Sequence, residues 1–212
     1  IGEDAPVAPS PFSFLAYIPA DMRRRSPLRF DEVLKIVLGF EGGYVNDPND
    51  KGGETNLGIT AGTLARAHKA GLVGHSDVKK LTRAEAAKIY EAFYWKPSRC
   101  DLLPKPLDLL VFDAAVNHGV GGAGKLLQRA LNTMGANLVV DGAIGPKTLG
   151  ALTSLLEEGK GTVVKGLCGC FMMHRAVYFT DIATDNPTQK KFLFGWLRLR
   201  VAALARKAGI VE

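Results

Sequence analysis

Glu41-Gly-Gly-Tyr-Val-Asn-Asp-Pro-Asn-Asp-Lys-Gly-Gly-Glu-Thr-Asn-Leu-Gly-Ile-Thr60 interrupts a chain that otherwise reads as helix. Upstream of it, Phe30, Val33, Leu34, Val37, Leu38 and Glu41 recur at spacings of three and four, which puts them on one helical face. Gly42-Gly43 stop that helix, because paired glycines supply left-handed backbone angles and carry a high entropic cost inside a helix. Glu41 is thus expected at the end of a rigid element, beside whatever the next residues build. Those residues hold Asn46-Asp-Pro-Asn-Asp50 and Gly52-Gly53, turn chemistry that predicts one or two short hairpins. Gly58-Ile-Thr60 then leads into another helix with Thr60 as its cap.

A carboxyl at a helix end, followed by a glycine-rich turn carrying Asp and Thr, suits cleavage of a glycosidic bond. That reaction needs a protonated carboxyl to donate to the leaving oxygen. It also needs a second carboxylate to stabilise the oxocarbenium-like centre or to activate water. Glu41, beside an apolar face, is the candidate acid, since burial disfavours the charged form. Asp50 is the candidate partner, and Thr55 offers a hydroxyl to hold the water. Asp47 competes with Asp50, but Asp47-Pro48 is a turn-forming dipeptide and has a structural job already. Glu54 reads as a solvated loop charge. On the residues alone a structural reading stays open, because such pairs also cap helices and solvate turns.

The stretch resembles the signature of glycoside hydrolase family 108, peptidoglycan-cleaving N-acetylmuramidases of phage endolysin and secretion-activator type. Its Glu-x8-Asp-x4-Thr spacing is also close to the Glu-Asp-Thr arrangement of tailed-phage lysozymes. The resemblance continues through Glu85-Ala-Ala-Lys-Ile-Tyr90, Tyr94-Trp95, Phe112-Asp-Ala-Ala-Val-Asn117-His-Gly, Leu127-Gln-Arg-Ala-Leu131, Asp141-Gly-Ala-Ile-Gly-Pro-Lys-Thr148 and Gly195-Trp196. It covers the chain from about Phe30 to Lys207. It implies a lysozyme-like α+β domain, predominantly α-helical, with a small β-hairpin beside the active site. It further implies hydrolysis of the β-1,4 bond between N-acetylmuramic acid and N-acetylglucosamine, without a cofactor. Asp50 is the residue at the family position.

Composition agrees with one sizeable domain. The 212 residues are 47% hydrophobic and 23% charged, ordinary values for a globular protein, and too few for two comfortable domains. A net charge of +6 implies an anionic partner or surface. Lysine and arginine are scattered, with only Arg23-Arg24-Arg25 and Lys190-Lys191 adjacent, and no zinc-finger or RNA-binding signature accompanies them. Peptidoglycan is equally anionic through its peptide carboxylates, and the resemblance implies it, rather than nucleic acid, as the partner. No run of eighteen apolar residues exists to span a membrane. The chain opens at Ile1 rather than Met, which leaves room for a signal or anchor removed with the true amino terminus. The expected location is the periplasm or cell wall after export, or release at lysis if phage-encoded.

Residues 1–29 hold Pro6, Pro9, Pro11, Pro19 and Pro27 and read as an extension or linker. The domain follows over 30–207, with a catalytic half at 30–105 and a peptidoglycan-binding-like helical half at 106–207. Within it, Thr82-x-x-Glu85 is a capping box opening a helix to about Trp95. Pro106 to His118 makes an apolar helix ended by Gly119, and another runs from Gly122 to Met134. Asp141–Thr148 places Pro146 in the first turn of a helix, where proline loses nothing. It reads either as part of the wall-binding half or as a turn that orders two helices. Residues 162–181 and 187–207 are two closing helices, the second with Phe192, Trp196, Leu199 and Ala203 as an inward stripe.

Tyr44, Tyr94 and Trp95 are candidates to line a sugar groove through their aromatic faces, and each fits a core position equally. Asn56 and Asn117 are candidates to bond acetamido or hydroxyl groups, though Asn117 could serve its own helix end. His68, His75, His118 and His174 make no cluster, so no metal is expected. Cys100, Cys168 and Cys170 read as free thiols acting as small hydrophobes. A monomer is expected. Rivals to hydrolysis are a wall-binding or scaffold module that lost catalysis, and a lytic transglycosylase with one catalytic Glu. Host lysis by a phage and wall opening for a secretion machinery would both use the same site.

Overall fold

Helix α1, Pro27–Leu38, carries the expected apolar face: Val33 and Val37 are fully buried and Leu34 nearly so. A computed structural model describes residues 27–39, 54–159 and 162–212. Gly39 turns the chain away after α1, its amide donating to the Lys35 carbonyl at 3.1 Å. Glu41 and the Gly42-Gly43 stop lie outside the described residues.

The chain re-enters as a two-stranded antiparallel sheet, β1 (Thr55–Asn56) and β2 (Ile59–Thr60). Helix α2, Ala61–Lys69, starts where Thr60 Oγ1 accepts from the Thr63 amide at 3.2 Å. Helix α3, Arg83–Tyr90, opens on the expected box. The Glu85 amide donates to Thr82 Oγ1 at 3.2 Å and the Thr82 amide to Glu85 Oε2 at 3.0 Å. A π-helical turn, Glu91–Trp95, carries the same rod onward.

Helix α4, Leu107–Thr133, is the spine of the core, and every residue from Leu107 to Ala115 is buried. Gly119 breaks it with φ 77° and ψ 161°, a conformation costly for any side chain, so the two expected helices meet in one kinked rod. Asp108 in its first turn is buried, yet Arg29 of α1 forks onto both carboxylate oxygens at 2.6 Å. A bidentate pair of this kind compensates the desolvation of the carboxylate. Around the spine, Phe30, Tyr90, Trp95 and Phe112 meet edge to face, with Trp95 and Phe112 centroids 5.3 Å apart.

The Asp141–Thr148 phrase orders two helices. Gln128, buried on α4, donates to Asp141 Oδ1 at 2.7 Å and to the Ala143 carbonyl at 3.1 Å. Its Oε1 accepts from the Gly142 amide at 2.7 Å. The turn lies so close that a Cβ on Gly124 would sit 1.9 Å from the Gly142 carbonyl oxygen. Pro146 then occupies the first turn of helix α5, Pro146–Glu158.

Helix α6, Val163–Asp185, packs along α4. A 3-10 turn at Pro187–Gln189 leads to α7 (Lys190–Trp196), a π-helical segment (Leu197–Ala203) and α8 (Leu204–Lys207). The stripe expected to be core on this last rod is corrected: Phe192 and Leu199 are exposed and Trp196 is half-buried. Trp196 instead stacks on Phe179 of α6 at 5.3 Å and 23°. Cys100 and Cys168 are buried free thiols, while Cys170 is half-buried with its Sγ 3.7 Å from Met134 Sδ. The whole is a predominantly helical α+β fold with one small hairpin.

Candidate active site

The expected hairpin forms at Thr55–Thr60 with Thr55 opposite Thr60 and Asn56 opposite Ile59. Its two-residue turn is Leu57-Gly58, with φ of 52° and 73°. Positive φ at both positions gives the twist that short hairpins need, and glycine accepts it freely. Leucine does so at a cost of about 1–2 kcal/mol, so something must hold it. Two contacts outside the hairpin do. The Tyr90 hydroxyl donates to the Leu57 carbonyl at 3.0 Å, and Asn56 Nδ2 donates to the Val78 carbonyl at 3.0 Å. Ile59 is buried behind them. Strain that surroundings over-determine is common where a side chain must be aimed, and the side chain on this rim is Thr55. Glu54, just before it, pairs with Lys79 at 3.7 Å.

The sequence-derived site residues separate into three groups. Glu41, Tyr44, Asp47 and Asp50 lie outside the described residues. Thr55, Asn56 and Tyr94 fall around the hairpin and the rod that braces it: Thr55 and Tyr94 are half-buried, and Tyr94 lies 5.8 Å from Tyr90. Asn56 is half-buried and donates its amide nitrogen to the Val78 carbonyl. Trp95 is corrected. It is 5% exposed and walled by Phe30 and Phe112, so its ring faces are spent on the core and none is left for a pyranose. Asn117 sits apart on α4, exposed, its amide donating to the Asp113 carbonyl at 2.7 Å, the local role weighed for it.

Sequence reading missed the polar cluster beneath Asn117. Asp113 is fully buried and receives Arg175 of α6 at 2.6 Å and Arg200 of the last rod at 2.8 Å. Arg175 Nε also donates to His118 Nε2 at 3.2 Å. Burial, then the charges of Arg175 and Arg200, hold the His118 imidazole neutral down to about 3. A histidine held neutral in this way is an acceptor for an arginine and not a proton donor to a leaving group. A signal was present: Asp113 and Asn117, four apart, share one helical side, and Arg175 stands inside an apolar run.

With this geometry in view, residues 34–119 match the family described as Glycosyl hydrolase 108, and residues 122–201 match one described as Predicted Peptidoglycan domain. A solved structure, SagA from Brucella abortus, aligns with a TM-score of 0.63 and 31% identity over 86% of this chain and 95% of that one. The chain belongs to the glycosyl hydrolase 108 family. No curated protein matches it significantly. As a family 108 glycosyl hydrolase it is an enzyme of glycoside hydrolysis, and its second matched segment makes peptidoglycan its substrate. The two matched segments meet at 119–122, the residues at which Gly119 kinks α4. Among the described residues no helix is long and apolar enough to cross a membrane.

Proposed function

We propose that this hydrolase is an N-acetylmuramidase cleaving the β-1,4 bond between N-acetylmuramic acid and N-acetylglucosamine. Glu41 is the general acid, Asp50 the carboxylate that activates water, and Thr55 the hydroxyl that holds that water. The observation that carries this reading is the placement of Glu41-x8-Asp50-x4-Thr55 inside the glycosyl hydrolase match, with Thr55 on a strained and braced hairpin. A hydroxyl assigned to water favours single displacement. In that mechanism the carboxyls stand about 6.5–9.5 Å apart, against about 5–5.5 Å when one attacks the sugar directly. The first product then has an α-configured reducing end. The enzyme works outside the cytoplasm, at the periplasmic or wall face of peptidoglycan, in host lysis or in opening the wall for a secretion machinery.

The test is digestion of purified peptidoglycan by wild type and Glu41→Gln, with fragments weighed and the anomer read by nuclear magnetic resonance before mutarotation. Glutamine keeps the shape and loses the transferable proton, so activity should fall on the order of a hundredfold or more. Near-wild-type turnover by a folded Glu41→Gln protein would remove Glu41 from the acid's role. An anhydro product would mean a lytic transglycosylase, and a β-anomer would make Asp50 the nucleophile.

A further inference from the structure

A cavity of about 290 Å³ opens between the carboxy-terminal arm of α4 and α6. Its walls differ in charge. Lys125 and Arg129, four residues apart on α4, line one side; Asp181 and Asp185, four apart on α6, line the other. His118 and Tyr178 close the end nearest the Asp113 cluster, their rings 4.7 Å apart. All four charged side chains are on exposed residues, and among the described residues no ion pair joins the cationic wall to the anionic one. Like charges at i,i+4 destabilise a helix by a few tenths of a kcal/mol per pair, and here both walls carry one. Here the two rows stand on opposite sides of an open space, which a ligand carrying both signs of charge can enter.

Resting on the reading of this protein as a peptidoglycan hydrolase, we propose that this cavity binds the peptide moiety of peptidoglycan. That moiety is a short zwitterion with free carboxylates and, in its diamino residue, a free amine. The carboxylates face Lys125 and Arg129, and the amine faces Asp181 and Asp185. His118 is held neutral and accepts from Arg175, so the imidazole itself adds no positive charge against the amine. Tyr178 is half-buried and offers a ring face and a hydroxyl to the peptide backbone. Apart from His118, the residues lining the site lie in the matched peptidoglycan domain. It would select strands that still carry their peptides and hold them while the glycan is cut elsewhere.

The probe is a soluble tetrapeptide, L-Ala-γ-D-Glu-meso-diaminopimelate-D-Ala, titrated into the full chain by calorimetry. Saturable binding is expected, weakened about tenfold or more in the Lys125→Glu/Arg129→Glu protein, from exposed charge contacts of up to about 1 kcal/mol each. With the alanine amino terminus acetylated throughout, as it is amide-linked in peptidoglycan, further acetylation of the diaminopimelate amine should weaken wild-type binding and leave Asp181→Asn/Asp185→Asn binding almost unaffected. Circular dichroism confirms that the variants are folded, which exposed positions favour. Absence of saturable binding, or equal affinity in the charge-reversed protein, overturns the proposal. Reducing-end release from intact peptidoglycan by the same wild-type preparation separates the two readings. Hydrolysis without peptide binding removes only this site, and peptide binding without hydrolysis keeps the site and removes the muramidase.

Discussion

Single residues set the chemistry here through what surrounds them. Asp50 and Asp47 differ only in setting: Asp47 precedes a proline and Asp50 precedes Lys51-Gly-Gly. Asp50→Asn should abolish clearing of peptidoglycan, while Asp47→Asn should lose little beyond turn stability. The reverse result in a turbidity assay would exchange their roles. His118 carries a prediction of the opposite kind, about stability. Folded, its ring stays neutral to about pH 3, held by burial and by Arg175 and Arg200, whereas in an unfolded chain histidine protonates near 6.5. The unfolded chain therefore binds the extra proton across that window, and stability falls as pH drops from 6.5 toward 3. Asp113, Tyr178 and Asp181 also face this corner, and their attraction for a charged ring is too weak to reverse the shift. His118→Gln keeps an acceptor for Arg175 and does not titrate. Its urea-unfolding free energy should fall less steeply from pH 6 to pH 4, by up to about 1.4 kcal/mol per pH unit. Parallel pH profiles for the two proteins would show that His118 is protonated in the folded state.

At the scale of elements, the hairpin that carries Thr55 is held in place from outside itself. Four residues in two strands cannot hold a leucine at φ 52° by their own ladder. The rod of α3 and its π-helical turn supplies the hold through Tyr90, which is fully buried with its hydroxyl on Leu57. Tyr90→Phe removes that donor and leaves a carbonyl short of a partner, a cost of about 1–3 kcal/mol. Because the loosened element carries Thr55, kcat should fall by more than KM rises. A Tyr90→Phe enzyme with unchanged kcat, measured on soluble glycan fragments, would mean that the hairpin is rigid without the clamp.

For the whole molecule, charge governs how the enzyme meets its substrate. A net +6 protein approaching an anionic polymer gains encounter rate from steering, and salt shortens the reach of that field to a Debye length of about 8–10 Å near physiological strength. Turnover on insoluble peptidoglycan should fall as sodium chloride is raised well above that strength. Turnover on short neutral glycan fragments should change little. A flat profile on both would assign the positive charge to some other partner.

Local chemistry was legible in the sequence because it depends on neighbours in the chain. The Thr60 cap, the Thr82–Glu85 box, the break at Gly119 and Pro146 at a helix start all follow from backbone demands within four residues, and all stand in the structure. The same holds for the inward face of α1 and for the hairpin's existence, which the strain at Leu57-Gly58 does not prevent. What a side chain spends itself on was decided only by tertiary contacts. Trp95 and Trp196 look alike as exposed-or-buried aromatics on helices; one is walled into the core by Phe30 and Phe112, and the other lies half-open against Phe179. The meeting of Asp113 with Arg175 and Arg200, 62 and 87 positions away, leaves no periodic trace. Periodicity reports which face of a helix is apolar, and it carries no information about which distant charge will be brought to a polar residue buried on that face.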